Sequence, residues 1–430
     1  MWRASFRIFR FLAALQFWTE RRFTQAGLVV LGFMVLTAVL GVDTSVTVAY
    51  RIFTLTAALL ALAFAIAAFL HAPVSVSVRL PKMLTAGEAF RLRFEVANPG
   101  ARPIEGLALR VEPSDPRPTF EQFRGRLRLP TYRGWSRLLF SNRVALLHEA
   151  KVPQLLARSR AEVVVEGTAL HRGRLSIASV ALARSDPLGL VRRLTRSGDP
   201  LGDICVLPKR YRLPHLALPG ARRYQPGGLP QGASLGDSEE FLGLREYRPG
   251  DALQRIHWRS FARIGEPVVR EFQDEFVARY ALVLDTFVAS GGDEAFEEAV
   301  AVAASFAWTL DTQECLLDLL FAGDELHAYT AGPGYLQPQR LLEVLAAVSA
   351  RAEASFAAVA NAVYARRDQL SACIVVMAQW DAERKAMLER LARGGVEVLA
   401  LLVAAQAPAD APANVRLLVP GRVQEGLALL

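Results

Sequence analysis

The hydrophobic positions of this 430-residue chain change their spacing several times, and each change predicts a different kind of structure. In residues 2–18 the large apolar side chains recur at helical spacing, while most of the arginines fall on other faces. The apolar positions are Trp2, Phe6, Phe9 and Ala13. Such a pattern is typical of an amphipathic helix at a membrane surface. A frayed basic terminus over residues 1–22 is the alternative, and the sequence leaves both open.

Two uncharged apolar runs follow, over residues 23–42 and 52–70. A helix of about twenty residues spans roughly 30 Å, which is the thickness of a bilayer core. Residues 23–72 therefore predict a transmembrane helical hairpin with a short outer loop over 43–51.

Basic residues set the orientation of this hairpin, because cytoplasmic flanks carry an excess of arginine and lysine. They lie before the first run and after the second: Arg3, Arg7, Arg10, Arg21, Arg22, Arg79 and Lys82. The loop between carries only Arg51, so both termini are expected in the cytoplasm. The alternative is a signal peptide cleaved near Gly41, after which the second run would still anchor the chain.

Residues 73–212 switch to alternation of apolar and polar positions, as in Phe90, Leu92 and Phe94. Strands of this kind at this spacing predict an all-β, immunoglobulin-like sandwich of roughly seven strands. Residues 113–160 interrupt it with a mixture of arginines and apolar side chains. This insertion either lies against lipid head groups or forms an irregular segment with a helix or a pair of strands.

Residues 276–430 alternate continuous apolar strands with amphipathic helices. The strands are predicted from Tyr280, Cys315, Leu326, Cys373 and Val396. This alternation predicts an α/β doubly wound, mostly parallel sheet. Between the two domains, residues 213–275 comprise a linker rich in glycine and proline and then a charged segment, so the chain is multi-domain.

The net charge and the cysteine content indicate which molecules the chain contacts and in which compartment it lies. The net charge of +8 comes from arginine, since the chain has only four lysines, and no basic motif with interleaved aromatics accompanies it. We therefore expect contact with anionic lipids and no nucleic acid. The three cysteines lie singly in apolar runs, which predicts buried thiols in a reducing compartment.

The segment from Glu239 to Glu275 carries the densest mixture of opposite charges in the chain. Pro249 with Gly250 predicts a turn, and Asp251 with Gln254 has the spacing of a capping box. The pattern predicts a helix from about Ala252 to Arg263. Arginines at four-residue intervals would share one face of it: Arg255, Arg259 and Arg263.

The run LREYRPGDALQRIHWRSFARIGEPVVREF resembles the signature of the bacterial family called domain of unknown function 58. Phe261 departs from the small hydroxyl residue usual before Ala-Arg. A second run, HRGRLSIASVALARSDPLGLVRR, is similar to another family motif, in which Asp186, Pro187 and Gly189 form a structural turn. The positions matched in the first signature are Arg245, Glu246, Tyr247, Gly250, Asp251, Arg255, Trp258, Arg259, Arg263 and Arg270.

The resemblance implies a von Willebrand factor type A-like fold for the last domain. That fold often binds a divalent metal through Asp-x-Ser-x-Ser, because hard cations prefer carboxylate and hydroxyl oxygens. Here the run reads Asp285, Phe287 and Ala289 at those positions, which is a degenerate site. Asp285 could still meet Asp381 at the switch point of the sheet. We expect neither a bound metal nor another cofactor.

Motifs of phosphate-binding loops, nucleophile elbows and zinc proteases are missing, so no catalytic residue is predicted. Members of the family are encoded beside MoxR-type AAA+ ATPases. The resemblance thus implies a protein of the bacterial inner membrane, facing the cytoplasm, that helps such an ATPase assemble or activate other complexes. A metal-dependent adhesion receptor and an envelope-associated hydrolase are the alternatives.

The arginines of the signature allow two roles. They could pair with Glu246, Glu271 and Asp274 and lock the sandwich against the α/β domain, or they could form a docking surface for a partner. The sequence leaves this choice, the client complex and the oligomeric state open.

Overall fold

The computed structural model divides into two compact units, Met1–Lys209 and Arg210–Leu430, and each is described by itself. The described residues are 2–40, 47–70, 73–127, 129–197, 201–214, 240–249, 251, 253–273, 278–288, 293–310, 315–323, 325–351, 356–408, 410–412 and 414–430. The linker predicted from residue 213 onward thus lies almost wholly outside them.

The first unit begins with three helices: α1 (Trp2–Arg22), α2 (Gln25–Leu40) and α3 (Thr47–Phe69). α2 and α3 pack together around Leu60 and Ala63 of α3, with Leu31 and Met34 of α2 against them. Among the described residues, Val48–Phe69 is long and apolar enough to cross a membrane. α2 has 16 residues and rises about 24 Å, so the first predicted run forms a shorter helix than expected.

α1 is amphipathic, as predicted, but its apolar face is covered by protein. Two helices of the insertion, α4 (Phe120–Arg126) and α5 (Tyr132–Ser141), supply the covering side chains. The ring of Phe6 lies 5.7 Å from that of Phe123 and 5.7 Å from that of Trp135. Of the two alternatives for this segment, the frayed terminus was wrong. Aromatic packing across more than a hundred residues stabilises α1, and its local pattern could not show this.

The helices of the insertion begin at recognisable caps. Thr119 accepts from the backbone N–H of Gln122, whose side chain accepts from the backbone N–H of Thr119, which completes a capping box for α4. The side chain of Thr131 accepts from the N–H of Gly134 at the start of α5. The insertion therefore contains defined helices, in agreement with the second of the two sequence interpretations.

Two sheets pack on a shared core behind these helices. One has the order β1-β3-β7-β5, and the other has the order β2-β10-β8-β4-β6 with β9 paired to β8. Their strands are β1 (Ser75–Val78), β2 (Met83–Thr85), β3 (Ala89–Ala97), β4 (Leu107–Pro113), β5 (Ala145–Leu147), β6 (Ala150–Lys151), β7 (Arg160–Ala169), β8 (Gly173–Ser185), β9 (Arg192–Ser197) and β10 (Gly202–Leu207). The alternation read from the sequence is confirmed: Leu92, Phe94 and Val96 are buried, and Arg93 and Glu95 between them are exposed.

The turn between β8 and β9 joins this β-rich part to the apolar helices. The Asp186 carboxylate accepts from the N–H groups of Leu188, Leu190 and Val191 at 3.0, 2.8 and 2.7 Å. The carbonyl of Leu190 accepts from the N–H of Thr24 at 3.1 Å, just before α2 begins. Asp186 therefore has the structural role that the resemblance implied, and the same turn also fixes the entry to the helical hairpin.

The second unit contains a six-stranded sheet of order β15-β14-β13-β16-β17-β18, parallel except for β15. Its strands are β13 (Ala278–Leu284), β14 (Cys315–Ala322), β15 (Leu326–Ala331), β16 (Ala372–Met377), β17 (Glu397–Val403) and β18 (Val415–Leu418). Its helices are α7 (Asp293–Thr309), α8 (Pro338–Ala347), α9 (Ala357–Ala365), α10 (Ala382–Arg393) and α11 (Val423–Leu427). The predicted α/β region is present, and α9, β18 and α11 are additions to it.

Candidate functional site

The signature segment folds as a two-stranded antiparallel hairpin, β11 (Glu240–Glu246) with β12 (Val268–Gln273). The chain between the strands forms a 3-10 turn, Leu253–Arg255, and the helix α6 (Trp258–Ile264). Gly265 ends α6 with φ of 83°, a left-handed conformation that favours glycine. Ile256 is buried and forms a bridge to Val269, so this excursion is attached to the hairpin.

Asp251 closes the turn through an ion pair. Both of its oxygens accept from the Arg245 guanidinium at 2.7 Å, and Oδ2 also accepts from the N–H of Arg248 at 2.8 Å. The Arg245 hydrogen bond lowers the pKa of the Asp251 carboxyl to about 2. The prediction that Asp251 caps a helix from Ala252 was wrong, because its carboxylate is engaged by Arg245. The helix instead begins at Trp258.

A surface of exposed apolar and basic side chains lies on this excursion, and we call it the signature surface. Its apolar members are Leu253, Trp258 and Ile264, with exposed fractions of 65%, 59% and 64%. Its basic members are Arg259 and Arg263, which lie four residues apart on α6 and are exposed. Within the described residues neither arginine forms an ion pair.

The remaining signature positions are distributed around this surface. Arg270 and Glu246 are exposed on the strands of the hairpin, and the N–H of Tyr247 donates to the Pro267 carbonyl at 3.0 Å. Gly250 lies outside the described residues, and of Arg255 only the backbone is described. Arg255 belongs to the 3-10 turn and not to α6, so the predicted stripe of three arginines on one helix was wrong.

A second arrangement of charges lies at the switch point of the six-stranded sheet, where β13 and β16 end side by side. Asp285 follows β13 and is fully buried. Its carboxylate accepts from Arg384 at 2.9 Å (Nε to Oδ2) and 3.0 Å (Nη2 to Oδ1). Arg384 also donates to Asp381, which caps α10 by accepting from the N–H of Arg384 at 3.0 Å. Asp285 and Asp381 therefore meet through one arginine.

Burial and pairing act in opposite directions on these charges. Burial raises the pKa of the Asp285 carboxyl, and the Arg384 hydrogen bonds counter only part of that rise. Burial alone would lower the pKa of Arg384, but its hydrogen bonds to Asp285 raise it. Each group therefore depends on the other to remain charged inside the protein.

This arrangement does not fit a divalent metal at Asp285. Both carboxylate oxygens are already bound by a guanidinium, and Oδ1 also accepts from the N–H of Phe287 at 3.0 Å. Phe287 is buried and offers no oxygen, while Ala289 lies outside the described residues. In the described part of the chain no three histidine, cysteine or acidic side chains form a cluster that could hold a metal.

Sequence reasoning missed Arg384. The signal that was present is the pair Asp381 and Arg384, an N-cap with an arginine three residues later, which resembles any solvated first turn. Arg384 differs from a solvated arginine only because its side chain contacts Asp285, which lies 99 positions earlier in the sequence. The sequence does not reveal that contact.

The signature segment and the α/β region also match a known protein family. Residues 243–425, from the hairpin through α11, match the family described as "Protein of unknown function DUF58". This region is a DUF58 domain. The matched region contains nine of the ten named signature positions in a described backbone, together with Asp285 and Arg384.

No curated protein matches the chain. Two solved structures show a distant similarity. One is the native conformation of E. coli alpha-2-macroglobulin, with 15% identity over 32% of this chain and a TM-score of 0.20; the chain spans 7% of its length. The other is PapD-like domain 7 of human CEP192, with 9% identity over 29% of this chain, 84% of that chain covered and a TM-score of 0.13. Similarity at this level supports no structural argument.

Proposed function

We propose that this DUF58 protein is a membrane-anchored interaction protein without catalytic activity, whose signature surface docks an acidic face of a partner. The observation that carries the proposal is the exposure of Trp258 beside the exposed arginines Arg259 and Arg263 on α6. By family resemblance, the partner is a MoxR-type AAA+ ATPase, and the complex acts in assembling or activating other proteins.

The residue types on the signature surface suit protein recognition. Tryptophan and arginine dominate the residues that contribute most to binding at interfaces. An exposed indole beside Ile264 provides apolar area, and Arg259 and Arg263 provide a positive field that favours an acidic partner. The alternative role is a lock through ion pairs with Glu246, Glu271 and Asp274. Glu246 is exposed, and Asp274 and the side chain of Glu271 lie outside the described residues, so the experiment below decides between lock and docking.

The bidentate pair of Arg245 with Asp251 supports docking indirectly. It fixes the turn that precedes the excursion, and the Ile256 bridge to Val269 fixes the excursion itself. A surface that is ordered before it binds loses less conformational entropy on association. Arg245 and Asp251 are therefore proposed as positioning residues for the signature surface.

The membrane anchor is proposed to have two spans, α2 and α3, with both termini, the β-rich domain and the α/β domain in the cytoplasm of a bacterium. The packing of α2 on α3 and the basic residues flanking the hairpin support this arrangement. A reporter fused after Leu430 that is active only in the cytoplasm is the expected result. Activity only on the outer side would refute the orientation.

We assign the two sheets of the first unit to an immunoglobulin-like sandwich and the second unit to a von Willebrand factor type A-like domain. The antiparallel strands on a shared core support the first assignment. The parallel sheet with one antiparallel edge strand, β15, supports the second. In this assignment Arg384 occupies the region where metal-binding relatives of that fold hold their cation, which disfavours a metal-dependent receptor.

Charge reversal tests the docking role. The full chain in detergent is titrated against a purified MoxR-type AAA+ ATPase, and Arg259→Glu, Arg263→Glu and Trp258→Ala are compared with the wild type. Each variant is expected to weaken binding about tenfold or more, in the range of interface residues that contribute strongly. Thermal stability should remain unchanged, because all three side chains are exposed.

Arg416→Glu is the matched control, since Arg416 is an exposed arginine on β18 of the same unit. A large fall in melting temperature for Arg259→Glu would support the lock. Unchanged affinity in all three signature variants would refute docking through this surface.

A further inference from the structure

A cavity of about 840 Å³ lies in the first unit, between the last turns of α1 and the sheet that contains β4 and β8. This volume is in the range of sites for small molecules, roughly 300–1,000 Å³. Phe17 and Trp18 of α1 form part of its wall, with Leu146 and Leu147 of β5. The cavity thus has an apolar side large enough for part of a hydrocarbon chain.

The polar side of the cavity is rich in arginine. Six arginines line it against four carboxylates. The arginines are Arg21, Arg110, Arg117, Arg143, Arg174 and Arg196. Most of them are neutralised: the buried carboxylate of Glu112 lies 3.4 Å from both Arg21 and Arg196, and Arg117 pairs with Asp115.

Arg110 and Arg143 differ from the others. Both are half-buried, and within the described residues neither forms an ion pair. Burial lowers the pKa of Arg110, against the opposing charge of Glu149, whose carboxylate pairs with Arg192 at 2.9 Å. Partly desolvated donors in an open cavity favour an anionic ligand, because charge-assisted hydrogen bonds offset their lost hydration.

The cavity also lies next to the start of the apolar helices. Arg21 lines it, and two residues later Phe23 enters the cluster that packs on α3. The ring of Trp18, another lining residue, lies 5.9 Å from that of Phe23. In the membrane-anchored arrangement proposed above, on which this step rests, the cavity lies at the depth of the lipid head groups.

We propose that this cavity binds a phosphate ester carried by an anionic phospholipid, with the phosphate at Arg110 and Arg143 and the adjoining chain along Phe17 and Trp18. The same phosphate chemistry could come from a soluble glycerol phosphate. The apolar wall beside the arginines favours the lipid, because a soluble ester would leave that wall unused.

The full chain in a neutral detergent is titrated calorimetrically with dihexanoyl phosphatidylglycerol, dihexanoyl phosphatidylcholine and glycerol phosphate. The anionic lipid is expected to bind. The other two ligands are expected to bind at least about tenfold more weakly, because phosphatidylcholine lacks the net negative charge and glycerol phosphate lacks the acyl chains. Arg110→Gln and Arg143→Gln should each weaken binding about tenfold, while Arg110→Lys, which keeps the charge, loses less.

Arg91→Gln is the control, because Arg91 is exposed on β3 of the other sheet and does not line the cavity. Melting temperatures of all variants show whether the fold is retained. Equal affinity for the zwitterionic lipid, or wild-type affinity in both glutamine variants, would overturn the site. Glycerol phosphate binding as tightly as the lipid would overturn the lipid as the source.

The two proposals fail separately. Carbonate extraction measures anchoring without using the cavity, and ATPase binding depends on the signature surface. If the chain is membrane-anchored and binds the ATPase but does not bind the anionic lipid, only the cavity proposal is overturned.

Discussion

Replacing Arg384 by methionine removes the cation that neutralises Asp285 inside the second unit. Methionine keeps much of the length and the apolar contact with Phe356, over whose ring the guanidinium lies at 4.7 Å. The Asp285 carboxylate would remain fully buried with only the N–H of Phe287 as a described donor. The expected result is a large loss of stability in the α/β unit, because a buried charge has lost its partner.

The size of the stability loss follows from the burial of Arg384 and Asp285. Arg384 is 3% exposed and Asp285 is 0% exposed, so solvent does not screen the pair. Breaking a buried ion pair by removing one partner destabilises by about 3–5 kcal/mol, whereas exposed pairs contribute less than about 1 kcal/mol. At roughly 2–4 °C per kcal/mol for a unit of this size, the melting temperature should fall by about 6–20 °C.

Thermal unfolding of the full chain in detergent measures this change, and hydrogen exchange of residues 278–285 locates it. Arg393→Met is the matched control, since Arg393 lies on the same helix and pairs with Glu389 while 77% exposed. It should shift the melting temperature by no more than about 2 °C. The double variant Asp285→Asn with Arg384→Met should recover part of the loss, because neither charge then remains buried.

The sign of the pH effect provides a further check. Without Arg384, burial acts on the Asp285 carboxyl unopposed and raises its pKa in the folded state. A raised pKa means that stability is retained below the unfolded value and lost as pH rises through the folded value. The variant should therefore lose more at about pH 8 than at about pH 5. A loss no larger than that of Arg393→Met, or one independent of pH, would refute the reasoning.

Three further changes test other parts of the structure. The pKa of Asp251 is lowered to about 2, so its contribution to stability is present above the usual value of 3.8 and is lost as pH falls through that window. Asp251→Asn should remove this acid-dependent part of the thermal unfolding profile; a wild-type profile would contradict it. Asp186→Ala deletes three hydrogen bonds to backbone N–H groups and should destabilise the first unit by about 2–4 kcal/mol, measured by denaturant unfolding. Stability within 0.5 kcal/mol of the wild type would contradict that role. Gly27→Ala places a Cβ against the backbone carbonyl of Leu190, whereas Gly32 has open space around it. Hydrogen exchange at residues 186–191 should therefore increase in Gly27→Ala and not in Gly32→Ala, and equal exchange in both would argue against this close contact.

The local pattern of apolar positions was sufficient to predict a single strand from its own residues. The alternation of Leu92, Phe94 and Val96 predicted a strand, and β3 has that burial. The continuous apolar run from Tyr280 predicted a buried strand, and β13 begins two residues earlier. These predictions hold because the period of apolar positions depends on the backbone geometry of the element alone.

The predictions that were wrong share another cause. Asp251 has the spacing of a helix cap, but its carboxylate binds Arg245 and the helix starts later. The frayed-terminus alternative for residues 1–22 was wrong, because Phe123 and Trp135 pack on the aromatic side chains of α1. In both cases a contact with another part of the chain determined the local structure. The local sequence pattern carries no information about the distance to that contacting residue.

By itself the sequence determined the β-rich and α/β regions, the family signature, the apolar helices and the weakness of the metal motif at Asp285. Only the tertiary structure decided which charges are neutralised. It placed Arg384 on Asp285, exposed Arg259 and Arg263 on α6, and enclosed Arg110 in a cavity. The physical reason is that periodicity is a property of neighbouring residues, whereas the free energy of a charge depends on every group and solvent molecule around it.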